Sequence, residues 1–147
     1  MMPTQQELKE MLRIAHIARE NAFVPRSDHK VGAALLTTDK VFFAGCNVES
    51  NISGLGICAE RSAIDNAIVH GKYEFQALLT LDEKPSISCG ACLQYLLQFH
   101  VINDKDVTIL TADIHATLVN YSLLQLLPTR YLPRHNLEKI KSYKNKS

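Results

Sequence analysis

Two short segments constrain this chain more than any others: Cys58-Ala59-Glu60-Arg61 and Cys89-Gly90-Ala91-Cys92. Each begins where a loop meets a stretch with helical spacing. After Cys58, the residues Ala59, Ala63, Ile64, Ala67 and Ile68 recur at helical intervals until Gly71, a natural stop, so a helix is expected from Cys58 to about His70. A further helix is expected over Ala91–Phe99. Two helix N-termini therefore present three thiols. Their dipoles favour negative charge, which lowers thiol pKa values and favours the thiolate that binds zinc. A lone CxxC is ambiguous between redox, structural zinc and catalysis, and the upstream Cys-Ala-Glu narrows the choice. A closed structural zinc site takes four protein ligands, whereas a catalytic one takes three and leaves a position to water. Cys58, Cys89 and Cys92 with the carboxylate of Glu60 thus point to catalysis. Three thiolates, a hydroxide and a divalent cation carry net negative charge, which is costly in a dry pocket, and Arg61 is placed to offset part of it.

The remainder of the chain sets limits on the setting of that site. At 147 residues it is close to one domain in length, and 46% hydrophobic against 21% charged residues is enough apolar material for a core, which excludes intrinsic disorder of the body. A net charge of +1 leaves no basic field for nucleic acid, so no nucleic-acid partner is expected. The start has no cationic leader with an apolar core, and no stretch approaches roughly eighteen apolar residues, so a cytoplasmic protein without membrane attachment is expected. In that setting the four cysteines read as metal-binding or catalytic thiols rather than disulfides. Cys46, outside those two segments, is not counted as a ligand.

Thr4-Gln5-Gln6-Glu7 fits a capping box, and Leu8, Met11, Leu12, Ala15 and Ala18 form an apolar stripe to about Asn21, with Pro25 barring continuation. Val31–Leu36 and Val41–Ala44 read as an antiparallel hairpin. Strands are expected at Phe75–Leu81 and Val107–Leu110, parallel to each other because a helix connects them. An edge strand over Ile114–Val119 and a short helix over Leu123–Leu127 complete the elements. One domain is expected over residues 1–135, followed by a basic, frayed tail over 136–147 that carries Lys139, Lys141, Lys144 and Lys146.

Taken in order, Val31-Gly32-Ala33-Ala34, Asn47-Val48-Glu49, Cys58-Ala59-Glu60-Arg61 and Cys89-Gly90-Ala91-Cys92 closely resemble the small homotetrameric zinc-dependent cytidine deaminases, from about Leu8 to about Pro133. The resemblance implies an α/β fold, a three-layer α-β-α sandwich with a mixed sheet. It implies Zn2+ on Cys58, Cys89 and Cys92, with Glu60 taking a proton from the attacking water, passing it to N3 of the pyrimidine and later protonating the departing amine. It implies that Asn47 and Glu49 hold the ribose 3′-hydroxyl, that the Ala59 backbone helps hold the base, and that Tyr131 places a ring over the substrate of a neighbouring subunit. The active sites of a homotetramer would then be shared. The function implied is conversion of cytidine or 2′-deoxycytidine to the uridine product and ammonia, with pyrimidine salvage as the family's usual role.

Several positions depart from the family pattern, among them Cys46, which stands where the family often has Phe and so reads as a small buried hydrophobe. His29 stands where the family has a Phe near the pyrimidine, and Ser53 where it has a Tyr near the ribose 5′ side. Ser88 replaces the Pro before the first CxxC cysteine, which is expected to loosen the loop, and Leu93 replaces the Arg after the second, leaving more compensation to Arg61. His29 and Ser53 keep open a deaminase of a modified cytosine nucleoside, of the N4-substituted or blasticidin S type. From another class, a non-enzymatic zinc module remains, in which Cys46 closes a four-cysteine site.

Overall fold

Helix α1, Gln5–Glu20, begins as the capping box predicts: the Thr4 hydroxyl accepts from Glu7 N–H and the Glu7 carboxylate accepts from Thr4 N–H. The computed structural model describes all residues except Pro133, Arg134, Asn145 and Ser147. Strands β1, Gly32–Thr37, and β2, Phe42–Cys46, form the expected antiparallel hairpin. Helix α2, Ala59–Val69, is followed by β3, Phe75–Asp82, helix α3, Gly90–Asn103, and β4, Thr108–Asp113. Next come β5, Leu118–Ser122, and the short helices α4, Leu123–Leu126, and α5, Leu137–Lys141.

The sheet is mixed and runs β2-β1-β3-β4-β5. β1 is antiparallel to both β2 and β3, β3 and β4 are parallel as their connecting helix requires, and β5 is antiparallel to β4. Alternation along the strands divides the core into two. Ala34, Leu36, Leu79, Leu81 and Leu110 pack with Met11 and Ala15 of α1. Ala33, Leu35, Leu78 and Ile109 pack on the other side with Ala63, Ile64 and Ala67 of α2 and Leu96 and Leu97 of α3. Helices thus cover both faces, giving the three-layer α-β-α sandwich.

Two glycines permit this stacking. A Cβ on Gly32 would lie 2.0 Å from the Ala15 carbonyl of α1, and one on Gly45 would lie 2.3 Å from both the Ala59 carbonyl and the Ala63 nitrogen of α2. Helix backbone, unlike a flexible side chain, cannot turn aside from such a clash.

Three expectations need correction. α3 continues past Phe99 to Asn103, because Asp104 adopts the left-handed cap conformation (φ 54°) where a glycine would have advertised the stop. The edge strand starts four residues late: Asp113 Oδ1 accepts from the N–H groups of His115 and Thr117, and Ala116 has φ 64°, so 114–117 is turn. The tail is not frayed throughout. Ile140 of α5 packs on the α2–α3 core, and the Tyr143 ring meets Tyr73 edge-on at 5.0 Å with Lys146 Nζ 4.1 Å from its centroid. The lysines had hidden a minor apolar stripe. Asn145 and Ser147 of that tail, and Pro133 at the end of the resemblance, lie outside the described residues. Among the described residues no helix is long and apolar enough to cross a membrane.

Replacing Gly45 with Ala is expected to cost about 2 kcal/mol of unfolding free energy. The urea midpoint measures it, and zinc affinity should fall in parallel because the clash is with the first turns of α2.

Candidate active site

Cys58 and Cys89 occupy the N-cap positions of α2 and α3, with extended backbone and no side-chain cap hydrogen bond. Their sulfurs are therefore not committed to capping. Cys92 follows in the first turn of α3, and the three Sγ atoms lie within 4.8 Å of one another, with Cys89 and Cys92 3.4 Å apart. Sulfurs around tetrahedral zinc, each at about 2.3 Å, stand roughly 3.8 Å apart, so the donor set matches a metal that takes three thiolates. Cys46 lies on β2 opposite Gly32, is partly exposed rather than buried because β2 is an edge strand, and among the described residues is not part of this cluster. A fourth cysteine does not close the site.

The electrostatics follow from helix geometry. Burial opposes ionisation of Cys89, yet the Cys92 N–H, the Cys92 and Cys58 thiols and the Ala91 N–H together hold its pKa below the ordinary thiol value. Burial, then the charge of Glu60, pushes the Cys92 thiol well up. Glu60 itself is only 5% exposed and sits close enough for its carboxylate to be felt at Cys92. The Cys58 sulfur, and after it Cys92, raise the Arg61 guanidinium above its usual value, so this cation faces the thiols. Arg61 Nε is buried without a hydrogen-bond partner, an orphan donor beside a cluster that becomes strongly anionic when its thiols ionise. Cation, helix dipoles and sulfur spacing all fit a thiolate-bound divalent ion. Ala59 is fully buried between Cys58 and Glu60.

A groove of about 630 Å³ opens beside Cys58, lined among others by Arg26, Ser27, Asn47, Glu49 and Ser53. Val48 bridges Phe23 on one side and Ile57 on the other, which extends this segment so that Asn47 and Glu49 point the same way. Asn47 Oδ1 accepts from Val31 N–H at 2.8 Å and its Nδ2 donates to the His29 carbonyl at 2.9 Å, leaving one amide hydrogen. The Glu49 carboxylate accepts from the Ser27 hydroxyl and from the Arg26 and Ser27 N–H groups, and these donors, the hydroxyl foremost, hold its pKa below the ordinary carboxylate value. Both side chains thus brace the 26–31 segment while facing the groove.

The remaining candidates are dispersed. His29 is not among the groove-lining residues; its Nε2 lies 3.1 Å from the Asp82 carboxylate. Tyr131 is 71% exposed, and its carbonyl accepts from Gln94 Nε2. Leu93 is buried in the core. Ser88, expected to loosen its loop, is buried with Oγ 3.4 Å from Thr80 Oγ1, so a side-chain contact supplies restraint where proline is missing. Sequence reasoning missed Asp82, Arg26 and the Thr80–Ser88 contact. The available signal was polar Thr80 and Asp82 recurring two apart in a largely apolar strand.

Comparison with known proteins agrees with this geometry. The family model described as the cytidine and deoxycytidylate deaminase zinc-binding region matches residues 5–110. This chain belongs to the cytidine deaminase family. It is 32% identical over 129 residues to a cytidine deaminase of Halalkalibacterium halodurans, covering 86% of this chain and 92% of the relative. It is 38% identical over 95 residues to a cytidine deaminase of Sporosarcina psychrophila, covering 63% of this chain and 70% of the relative. The crystal structure of cytidine deaminase from Burkholderia pseudomallei superposes with a TM-score of 0.78 at 34% identity, over 88% of this chain and all of that one. Neither a modified-nucleoside deaminase nor a structural zinc module is favoured by these relatives or by the three-thiol cluster.

Zinc titrated into metal-free protein is expected to saturate near one ion per chain, read by a chromogenic chelator. Cys89→Ser should weaken binding at least tenfold, as loss of a ligand requires, whereas Cys46→Ala should leave the stoichiometry intact.

Proposed function

We propose that this chain hydrolyses cytidine or 2′-deoxycytidine to the corresponding uridine and ammonia, with the base at the thiol cluster and the sugar in the adjoining groove. The observation that carries this reading is a buried carboxylate, Glu60, beside three metal-competent thiols at the end of a groove of nucleoside size. Zinc bound by Cys58, Cys89 and Cys92 would acidify water and so supply a nucleophile near neutral pH. Glu60 takes a proton from the attacking water and delivers it to N3 as C4 becomes tetrahedral. The same carboxylate then shuttles the second water proton to the leaving amine, so that one water is consumed and one ammonia released. Burial keeps this proton from exchanging with bulk solvent, and Arg61 offsets the thiolate charge.

Asn47, with its unused amide hydrogen, and Glu49, as acceptor, take the ribose 3′-hydroxyl. The Ala59 backbone holds the base, while His29 and Ser53 shape the base and 5′ ends. The exposed ring of Tyr131 suits a role in a neighbour's site, and we read the protein as a homotetramer of one-domain chains, residues 1–135 with a short C-terminal appendage, acting in cytoplasmic pyrimidine salvage.

Ammonia release from cytidine is expected to fall by about a thousandfold in Glu60→Gln while zinc content stays at the wild-type level. Turnover that persists in this variant would remove Glu60 from the chemistry. If Tyr131 completes a neighbour's site, co-refolding Glu60→Gln chains with Tyr131→Ala chains should restore activity above that of either alone. A mixture no better than its parts would confine each site to one chain.

A further inference from the structure

Leu78, Thr80 and Asp82 alternate along β3 and share the face turned toward α2 and α3. Leu78 is in that core and Thr80 meets Ser88, the residue before Cys89, so Asp82 comes next on the same side, at the strand end that leads into the loop before Cys89. Its carboxylate is mostly buried, the residue being 8% exposed, and a buried carboxylate requires partners. It has two: Glu83 N–H donates to Oδ1 at 2.6 Å, and His29 Nε2 lies 3.1 Å from both carboxylate oxygens. His29 is reached from β1, two residues before Val31, which packs on the same core.

Every polar group of the His29 backbone is held as well. Its N–H donates to the Ser27 hydroxyl, which donates to Glu49, and its carbonyl accepts from Asn47 Nδ2. An exposed surface histidine needs none of this. Here the backbone of residue 29 is held by two groove-lining residues, Ser27 and Asn47, and its half-exposed imidazole by a buried carboxylate at the end of β3. Because the carboxylate can only accept, the Nε2 nitrogen must carry its proton, which leaves Nδ1 as an acceptor in the neutral ring.

We propose that Asp82 is a positioning residue of the active site: it orients the His29 imidazole beside the groove, next to Ser27 and Asn47 which line it, and His29 so oriented helps determine substrate affinity. The inference rests on the reading of the site as a nucleoside deaminase. In this role Asp82 acts through His29, so its effect on substrate affinity depends on which residue stands at 29.

The test is a double-mutant cycle on zinc-loaded protein, with KM and kcat for cytidine measured in wild type, Asp82→Asn, His29→Phe and the double variant. Loss of one charge-assisted hydrogen bond should raise KM about tenfold in Asp82→Asn, with a much smaller change in kcat. In the His29→Phe background the same Asp82 substitution should add no further increase. An equal rise in both backgrounds, or no rise in either, would overturn the proposal, and zinc content in each variant separates a collapsed metal site from a repositioned wall. Should Asp82→Asn fail to fold, the 15N spectrum of the His29 ring in wild type decides: an Nε2–H tautomer that shifts on adding uridine supports the proposal, and an Nδ1–H tautomer or no response overturns it. Wild-type protein inert toward cytidine would instead defeat the deaminase reading, an outcome distinguishable from an uncoupled cycle in active enzyme.

Discussion

Holding three sulfurs within 4.8 Å of one another is the requirement on which the rest of the structure depends. Ionised thiols at that spacing repel, and the fold offsets the repulsion with two helix N-termini and one guanidinium. Cys58 and Cys89 head α2 and α3, Cys92 is one turn into α3, and Arg61 faces the sulfurs from the first turn of α2. The dipoles and the cation come from the same short segments as the ligands, so site and charge balance assemble together. Gly45 serves this end at a distance, since the absent Cβ lets β2 lie against the backbone of α2 and sets where Cys58 and Glu60 arrive.

A second layer of organisation surrounds the sugar groove. Asn47 and Glu49 each serve a structural purpose, bracing residues 26–31 through backbone N–H groups and a backbone carbonyl, while retaining capacity toward the groove. Dual use of this kind makes the groove wall rigid without extra packing, because each polar side chain is both satisfied and exposed. Ser27 links the two halves, accepting from His29 and donating to Glu49. The Thr80–Ser88 contact does for the loop before Cys89 what Ser27 does for the other wall.

Local signals read well from the chain. The α1 cap, the β1–β2 hairpin, the start of α2 at Cys58 and the parallel β3–β4 pair each rest on interactions between residues near in sequence or on a connection that allows one handedness. The misses have two causes. Asp104 and Ala116 adopt left-handed conformations that glycine would have signalled, so α3 ran long and β5 began late. Ile140 and Tyr143, a minor apolar stripe among lysines, pack on the core beside α3 and on Tyr73, surfaces distant in sequence, and so a lysine-rich tail became partly ordered.

By itself the sequence determined the metal chemistry and the fold class. Thiols at helix starts, a carboxylate beside them and an alternation of strands and helices follow from residue type and spacing, which are properties of the chain before it folds. Only the tertiary structure decided that Cys46 stands apart from the cluster, that Glu60 is buried against Cys92, and that His29, in the segment before β1, meets Asp82 at the end of β3, 53 residues away. Those facts depend on strand order and register. Such contacts join residues far apart in the chain, and no local periodicity or motif carries information about them.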